Sequence, residues 1–228
     1  MTLTLHAWPT PNSYKISIML AETGLDYDVK PVHLFKGEQH EEEFKNLNPN
    51  GKMPVLQDTR GPGDKPITIF ESGAILIYLA EKTGQFLPGD KHDRYISLQW
   101  LMWQMAGFGP MLGQAHHFRQ YASEKVEYGI ERYTNEAGRL YDVLENRLSE
   151  AQFLAGDDYS IADMACYPWA LNFEKQGVDL SSRPNTMRWM SLIGNRDAVQ
   201  DGIRFMEEYK RDPAEGMSDD ERKAMFGK

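Results

Sequence analysis

Strand-forming patterns are confined to about the first 86 residues of this 228-residue chain, and beyond them only helical periodicity remains. That asymmetry restricts the fold to an α/β unit followed by an all-helical one. LTLHAW alternates as a strand does and is stopped by Pro9 and Pro11. KISIMLAETG then sets Ile16, Met19 and Leu20 on one helical face, with Gly24 where a helix stop is expected. DYDVKPVHL is a second strand, and its internal proline calls for a sheet edge. A short helix over 41–47 follows, and then MPVLQD and PITIFE flank the turn region RGPGDKP as a hairpin. The helix ESGAILIYLAEKTG closes this part. The simplest order is βαβαββα, because parallel strands need a crossover and antiparallel ones only a turn.

QFLPGDKHDR has the composition of a linker, and everything after it is helical. ISLQWLMWQM and YGIERYTNEAGRLYDVLENRL repeat apolar residues at three and four positions, with Gly107, Gly109 and Pro110 expected to interrupt the first. In YSIADMACYPWALNF, Ser160 and Asp163 form a helix-start pattern related to the capping box. Two more helices are expected over 184–194 and 197–209. The resulting division is a first domain over 1–86, a helical domain over 92–210, and a polar, loosely ordered tail over 211–228.

Charge and cysteine content narrow the function classes. Lys and Arg number 25 against 34 Asp and Glu, a net charge of -9 that works against nucleic acid or an anionic membrane as partner. No basic segment leads into an apolar run at the start, and no apolar stretch approaches the ~18–20 residues that span a bilayer. A soluble, cytoplasmic protein is the expectation. Cys166 is the only cysteine, which excludes an intramolecular disulfide, a Cys-x-x-Cys pair and a cysteine-rich zinc site. That suits a reducing cytosol.

NPNGKMPVL followed by FESGAILIYLAEKTG resembles the glutathione transferase family. The resemblance implies a cis Met53-Pro54 bond, with the Met53 backbone N–H and C=O turned toward the cysteinyl part of glutathione as in strand addition. Glu71-Ser72 falls where a strand meets a helix, and the outward N–H groups of a helix start suit a carboxylate. Glutathione carries an α-amino and an α-carboxylate group at its γ-glutamyl end, so Glu71 is expected to pair with the first and Ser72 to hold the second. For an isolated Glu-Ser, an ordinary helix cap would be the alternative. Lys52 is the expected counter-charge for the glycine carboxylate, and Gln39 resembles a family glutamine near the same end; the alternative for Lys52 is a solvated surface charge.

The reacting sulfur needs a donor near the first strand-to-helix turn, where TPNSYK offers Thr10, Asn12, Ser13 and Tyr14. Bringing a thiol from about 8.5 to about 7 takes roughly 2 kcal/mol of thiolate stabilisation. One hydrogen bond to a charged group, worth about 1.5–3 kcal/mol, suffices, so chemistry alone leaves the serine and the tyrosine open. With no cysteine at this turn, a mixed disulfide between protein and glutathione is excluded there. TPNSYKI is similar to the TPN-x-x-KI turn of the bacterial Nu-class transferases, whose threonine hydroxyl and asparagine amide face the sulfur. That carries over to Thr10 and Asn12; the alternative is a plain helix N-terminal turn.

LQWLMWQMAGFGPMLGQAHHF, YGIERY and YSIADMACYPW extend the Nu-class resemblance over most of the chain, leaving the last twenty or so residues without a counterpart. It implies a homodimer with a thioredoxin-like N-terminal domain and an all-helical C-terminal domain. It further implies a glutathione-dependent disulfide-bond reductase acting on small disulfides, with two glutathiones or one glutathione disulfide in each active site. Arg132 matches a residue that reaches the second glutathione; a solvent-facing helix arginine is the alternative. The rival functions are conjugation of glutathione to electrophiles and a non-catalytic regulatory role. No metal is expected: His116 and His117 point about 100° apart on a helix and lack a carboxylate or cysteine cluster, so they suit a pocket wall or packing. Cys166 is expected as a buried structural thiol, and Trp100, Trp103 and Phe108 either line a hydrophobic site or pack a core.

Overall fold

A computed structural model describes residues 3–210 and 217–226, so positions 211–216 and 227–228 of the expected tail lie outside the described residues. The first strand, β1 (Leu3–Ala7), buries Leu3, Leu5 and Ala7 completely or nearly so. After two prolines the chain enters α1 (Pro11–Thr23), with proline at the first helical position and Gly24 closing the helix in the left-handed conformation. Next come β2 (Tyr27–Pro31), two single 3-10 turns over Leu34–Lys36 and Glu38–His40, and α2 (Glu42–Leu47). β3 (Val55–Asp58) and β4 (Ile67–Phe70) make the hairpin, and α3 (Ser72–Thr83) follows directly.

The four strands lie in the order β2-β1-β3-β4, with β2 parallel to β1 and the other neighbours antiparallel. The expected βαβαββα order and thioredoxin-like sheet are therefore present, and β2, ending on its proline, occupies an edge. Among the described residues, those up to Leu79 form one compact unit together with those from Asp201 onward, and Ala80–Gln200 form the second.

The second unit is helical. α4 (Lys91–Trp103) begins earlier than a linker reading of KHDR allows, because the Asp90 carboxylate caps it by accepting from the N–H groups of His92 and Asp93. The α-helix is interrupted at Gly107, Gly109 and Pro110 as expected, but by a π-helical turn and not by a loop. A π-helical turn over Gln104–Phe108 leads straight into α5 (Gly109–His116) and a second such turn over His117–Tyr121. The wider turn accommodates a proline that lacks an N–H and would crowd the carbonyl of a tight α-turn.

α6 (Glu127–Glu150) is the longest helix, and α7 (Ile161–Ala170) starts with the expected Ser160–Asp163 capping box. The fully buried Asp163 carboxylate accepts from Leu154 N, Ser160 N, Ser160 Oγ and Trp189 Nε1 at 2.9–3.0 Å, so it joins the loop before α7 to α8 (Pro184–Gly194). Burial pushes this carboxyl upward, against the pull of those donors. Cys166 is buried, as expected.

Two expectations near the C-terminus need correction. α9 (Asp197–Arg204) stops five residues short of 209, because Met206 takes a left-handed backbone and a 3-10 turn covers Glu207–Tyr209. That break lets Phe205 pack on Tyr27 and Tyr209 on Trp8, with ring centroids 6.4 and 5.1 Å apart. The tail is not uniformly loose either: α10 (Asp219–Phe226) forms, with Ser218 and Glu221 exchanging N–H bonds at its start. Their S-x-x-E spacing is itself a helix-start signal. No helix among the described residues is long and apolar enough to cross a membrane.

Candidate functional site

Strand register decides which turns meet. His6 lies opposite Val55 in the antiparallel β1/β3 pair, and Val55 lies opposite Phe70 in the antiparallel β3/β4 pair. The residues after β1, before β3 and after β4 therefore emerge at one end of the sheet, and Ala7 opposite Pro31 brings the end of β2 there as well. Neighbouring strands are about 4.8 Å apart, so β1 to β4 spans about 10 Å, which is also the length of an extended tripeptide. Thr10 and Asn12, Met53 and Pro54, and Glu71 and Ser72 all belong to this end.

The centre of the row is the Met53-Pro54 bond, which is cis. The Met53 side chain packs on Val32, Phe44 and Val55, so the core anchors the residue whose backbone faces the expected ligand. Ahead of it, buried Asn48 organises the turn: its side chain accepts from Asn50 N at 2.9 Å and donates to the Lys52 carbonyl at 2.5 Å. Gly51 has φ 62°, and a Cβ there would come within 3.0 Å of the Gln39 carbonyl, so two constraints select glycine. Lys52 itself is exposed.

At the β4–α3 junction, Glu71 is exposed and has φ 70°, a left-handed conformation that is uncommon for a residue with a side chain. It provides the carbonyl that Ile75 N reaches, so α3 begins immediately after it. Ser72 is buried, and its Oγ accepts from the Nζ of Lys15 at 3.1 Å. Lys15 belongs to α1 and is only 1% exposed.

At the β1–α1 turn, Thr10 occupies the N-cap position with an extended backbone, yet its hydroxyl makes no cap bond. It lies 3.2 Å from the Ser13 hydroxyl instead. Ser13 is fully buried behind it, whereas Thr10 and Asn12 are partly accessible at the start of α1. Tyr14 is tuned away from thiolate stabilisation: burial, aided by Glu207, pushes its phenol up to about 12. Of the four candidates at this turn, Thr10 and Asn12 are neither buried, as Ser13 is, nor pushed away from donation to a thiolate, as Tyr14 is, and the N-terminus of α1 adds its positive dipole end.

Gln39 is buried, and its Nε2 donates to the Ala224 carbonyl of α10 at 2.7 Å. In the second unit, Arg132 is exposed on α6 and lines a cleft of about 580 Å³ with Met111, Tyr128, Glu136 and Arg139. Arg139 forks onto Glu136 at 2.7 and 2.8 Å, which holds that carboxyl below its usual range. The rings of His116 and His117 both approach Tyr121, at 4.9 and 6.5 Å, consistent with packing. Trp100, Trp103, Phe108 and Tyr141 form a chain of ring contacts ending on buried groups. Among the described residues, Asp90, His92 and Asp93 could gather three ligand atoms, but all are exposed and Asp90 caps α4.

Reading the residues alone missed Lys15 and Asn48. Lys15 had a signal: it falls among the buried positions of α1, beside Ile16. Asn48 had one in the NPNG string, where an asparagine side chain can bond the backbone two residues on.

Comparison with known proteins places the chain in a family. Residues 1–81 match the glutathione S-transferase N-terminal domain and residues 104–197 the glutathione S-transferase C-terminal domain. The chain is 47% identical over 198 residues to the disulfide-bond oxidoreductase YfcG of Escherichia coli (strain K12), covering 86% of this chain and 92% of that protein. A glutathione transferase from Burkholderia graminis, solved with two glutathione molecules bound per subunit, superposes with a TM-score of 0.86 at 43% identity, over 90% of this chain and 89% of that one. One from Pseudomonas putida, with one glutathione disulfide per subunit, gives 0.86 at 42% identity, over 90% and 92%.

Proposed function

The chain belongs to the glutathione transferase family, and on that premise we propose that it is a glutathione-dependent disulfide-bond reductase of the Nu type. The convergence of three turns at one end of the sheet carries this reading, because the row fits an extended tripeptide and its thiol end contains no cysteine.

Glutathione lies along the row. Glu71 pairs with its α-amino group, Ser72 holds its γ-glutamyl carboxylate, Met53 pairs with its cysteinyl backbone beside Pro54, and Lys52 and Gln39 serve the glycine end. Thr10 and Asn12 donate to the sulfur and favour the thiolate. That thiolate attacks one sulfur of a small disulfide, breaking its S–S bond, forming a mixed disulfide with glutathione and releasing one substrate thiolate. A second glutathione thiolate, reached by Arg132, attacks the glutathione sulfur of the mixed disulfide. The products are glutathione disulfide and a second substrate thiolate, and the protons lost by the two glutathiones balance those taken up by the two product thiols. The protein supplies position and electrostatics, and both electrons come from glutathione. It works as a cytoplasmic homodimer.

Turnover of hydroxyethyl disulfide and of chlorodinitrobenzene, each with glutathione, tests the assignment. Faster disulfide reduction is expected, undiminished in Cys166→Ser. Preferential use of chlorodinitrobenzene would make the protein a conjugating transferase, and failure to bind glutathione or its disulfide in calorimetry would make it a non-catalytic relative.

A further inference from the structure

Lys15 reaches Ser72 across 57 positions of sequence, and both side chains are withdrawn from solvent. Among the described residues no other lysine is buried. Burying an ammonium is costly unless something of opposite polarity answers it. A lysine has only donors to offer, so in this contact the serine oxygen accepts and the hydroxyl proton is directed away from Lys15. Ser72 is the first residue of α3, where backbone N–H groups point out of the helix and its dipole favours an anion. Behind that helix start, the structure sets the Lys15 Nζ 3.1 Å from the Ser72 Oγ, in a region from which water is largely excluded.

We propose that Lys15 is the positioning residue of the γ-glutamyl site, turning Ser72 into a donor toward the ligand's α-carboxylate and setting a buried positive charge behind it. The inference rests on the glutathione reading above. It adds what that reading lacked: the site selects a carboxylate by charge, with a cation buried too deeply to lie on the ligand-facing surface. Lys15 contacts the ligand through Ser72 and is therefore not a catalytic residue. Its effect falls on affinity for one chemical group of glutathione.

The test compares glutathione with γ-aminobutyryl-cysteinyl-glycine, which lacks that carboxylate and keeps the amine. Calorimetry on the wild-type chain and on Lys15→Met gives the ratio of the two Kd values. The wild type should prefer glutathione, and Lys15→Met should lose about tenfold or more of that preference, the size of one charge-assisted bond, with the analogue's Kd unchanged. Lys15→Arg should restore part of it. An unchanged ratio in Lys15→Met overturns the proposal, as does an equal loss for both ligands. A wild-type chain that binds neither ligand overturns the glutathione reading itself. Should Lys15→Met not fold, lysine ammonium NMR on the wild-type chain decides: the exchange-protected signal of the buried lysine should shift with glutathione and stay in place with the analogue. Equal shifts, or none, overturn the assignment.

Discussion

The Gln39 amide donates to the Ala224 carbonyl at 2.7 Å, so α10 holds a side chain that the family resemblance assigns to the glycine end of glutathione. The Oε1 of the same residue is buried without a hydrogen-bond partner among the described residues. Gly37 adds to the contact, since a Cβ there would meet the Ala224 Cβ at 3.6 Å. For Gln39 to bind a carboxylate, its amide must exchange one acceptor for another. Deleting residues 211–228 should therefore tighten glutathione binding by about two- to tenfold, the range of one hydrogen bond, as read by calorimetry. Weaker binding in the deletion would mean that α10 supports the Gln39 pose and does not compete for it.

Asn48 organises the turn before Met53 through bonds to Asn50 N and the Lys52 carbonyl. Asn48→Ala leaves both groups without that partner and should cost about 1–3 kcal/mol of stability in denaturant titration. Glutathione affinity should fall with it, because the backbone of Met53 is no longer held in place. A stable variant with unchanged affinity would show that the core contacts of the Met53 side chain suffice.

Glu71 has a φ of 70°, where glycine is at ease and a side chain is not. Glu71→Gly should therefore keep the melting temperature at or above that of the wild type while weakening glutathione by about 10- to 100-fold, through loss of the charged contact to the ligand amine. A lowered melting temperature with affinity intact would reverse both halves of the argument.

Glu145 contributes to stability on the acid side. Its carboxylate accepts from the backbone N–H and side chain of both Asn185 and Thr186, capping the start of α8 at 2.7–3.1 Å. Desolvation raises its pKa, but these four bonds outweigh it and the net shift is downward. A folded pKa below the unfolded one means that the unfolded chain takes up the proton first, so this contribution is present above the usual glutamate range and is lost as pH falls through the depressed value. Glu145→Gln should flatten the acid limb of a melting-temperature profile and cost about 1 kcal/mol at neutral pH. An unaltered acid limb would assign it to other carboxylates.

Much of the first unit was legible because strand and helix periods differ and the punctuation is strong: Pro9 and Pro11 end β1, Gly24 ends α1, and the Pro31 edge follows from its missing N–H. The site row was legible only through the motif resemblance, since no periodicity says that Thr10, Met53 and Ser72 share one end of a sheet. Register does, and register comes from pairing between segments far apart in sequence. Lys15 was missed because burial of a lysine is a tertiary fact. The π turn over Gln104–Phe108, which contains Gly107 and lies just before Pro110, was missed because local propensity argues for a break, and packing of Phe108 and Leu112 overrides it. The early end of α9 has the same origin: Phe205 and Tyr209 pack on residues near the start of the chain, Tyr27 and Trp8, which a helical window over 197–209 does not contain.

The central claim is that the chain reduces disulfides with thiols it borrows, activated by Thr10 and Asn12. The most direct measurement is the steady-state rate of glutathione-dependent hydroxyethyl disulfide reduction by the Thr10→Ala/Asn12→Ala double variant, with circular dichroism verifying the fold. Loss of two donors aimed at one developing anion predicts a fall in kcat/KM of about 100-fold or more. A folded double variant that turns over disulfide at the wild-type rate would contradict the account.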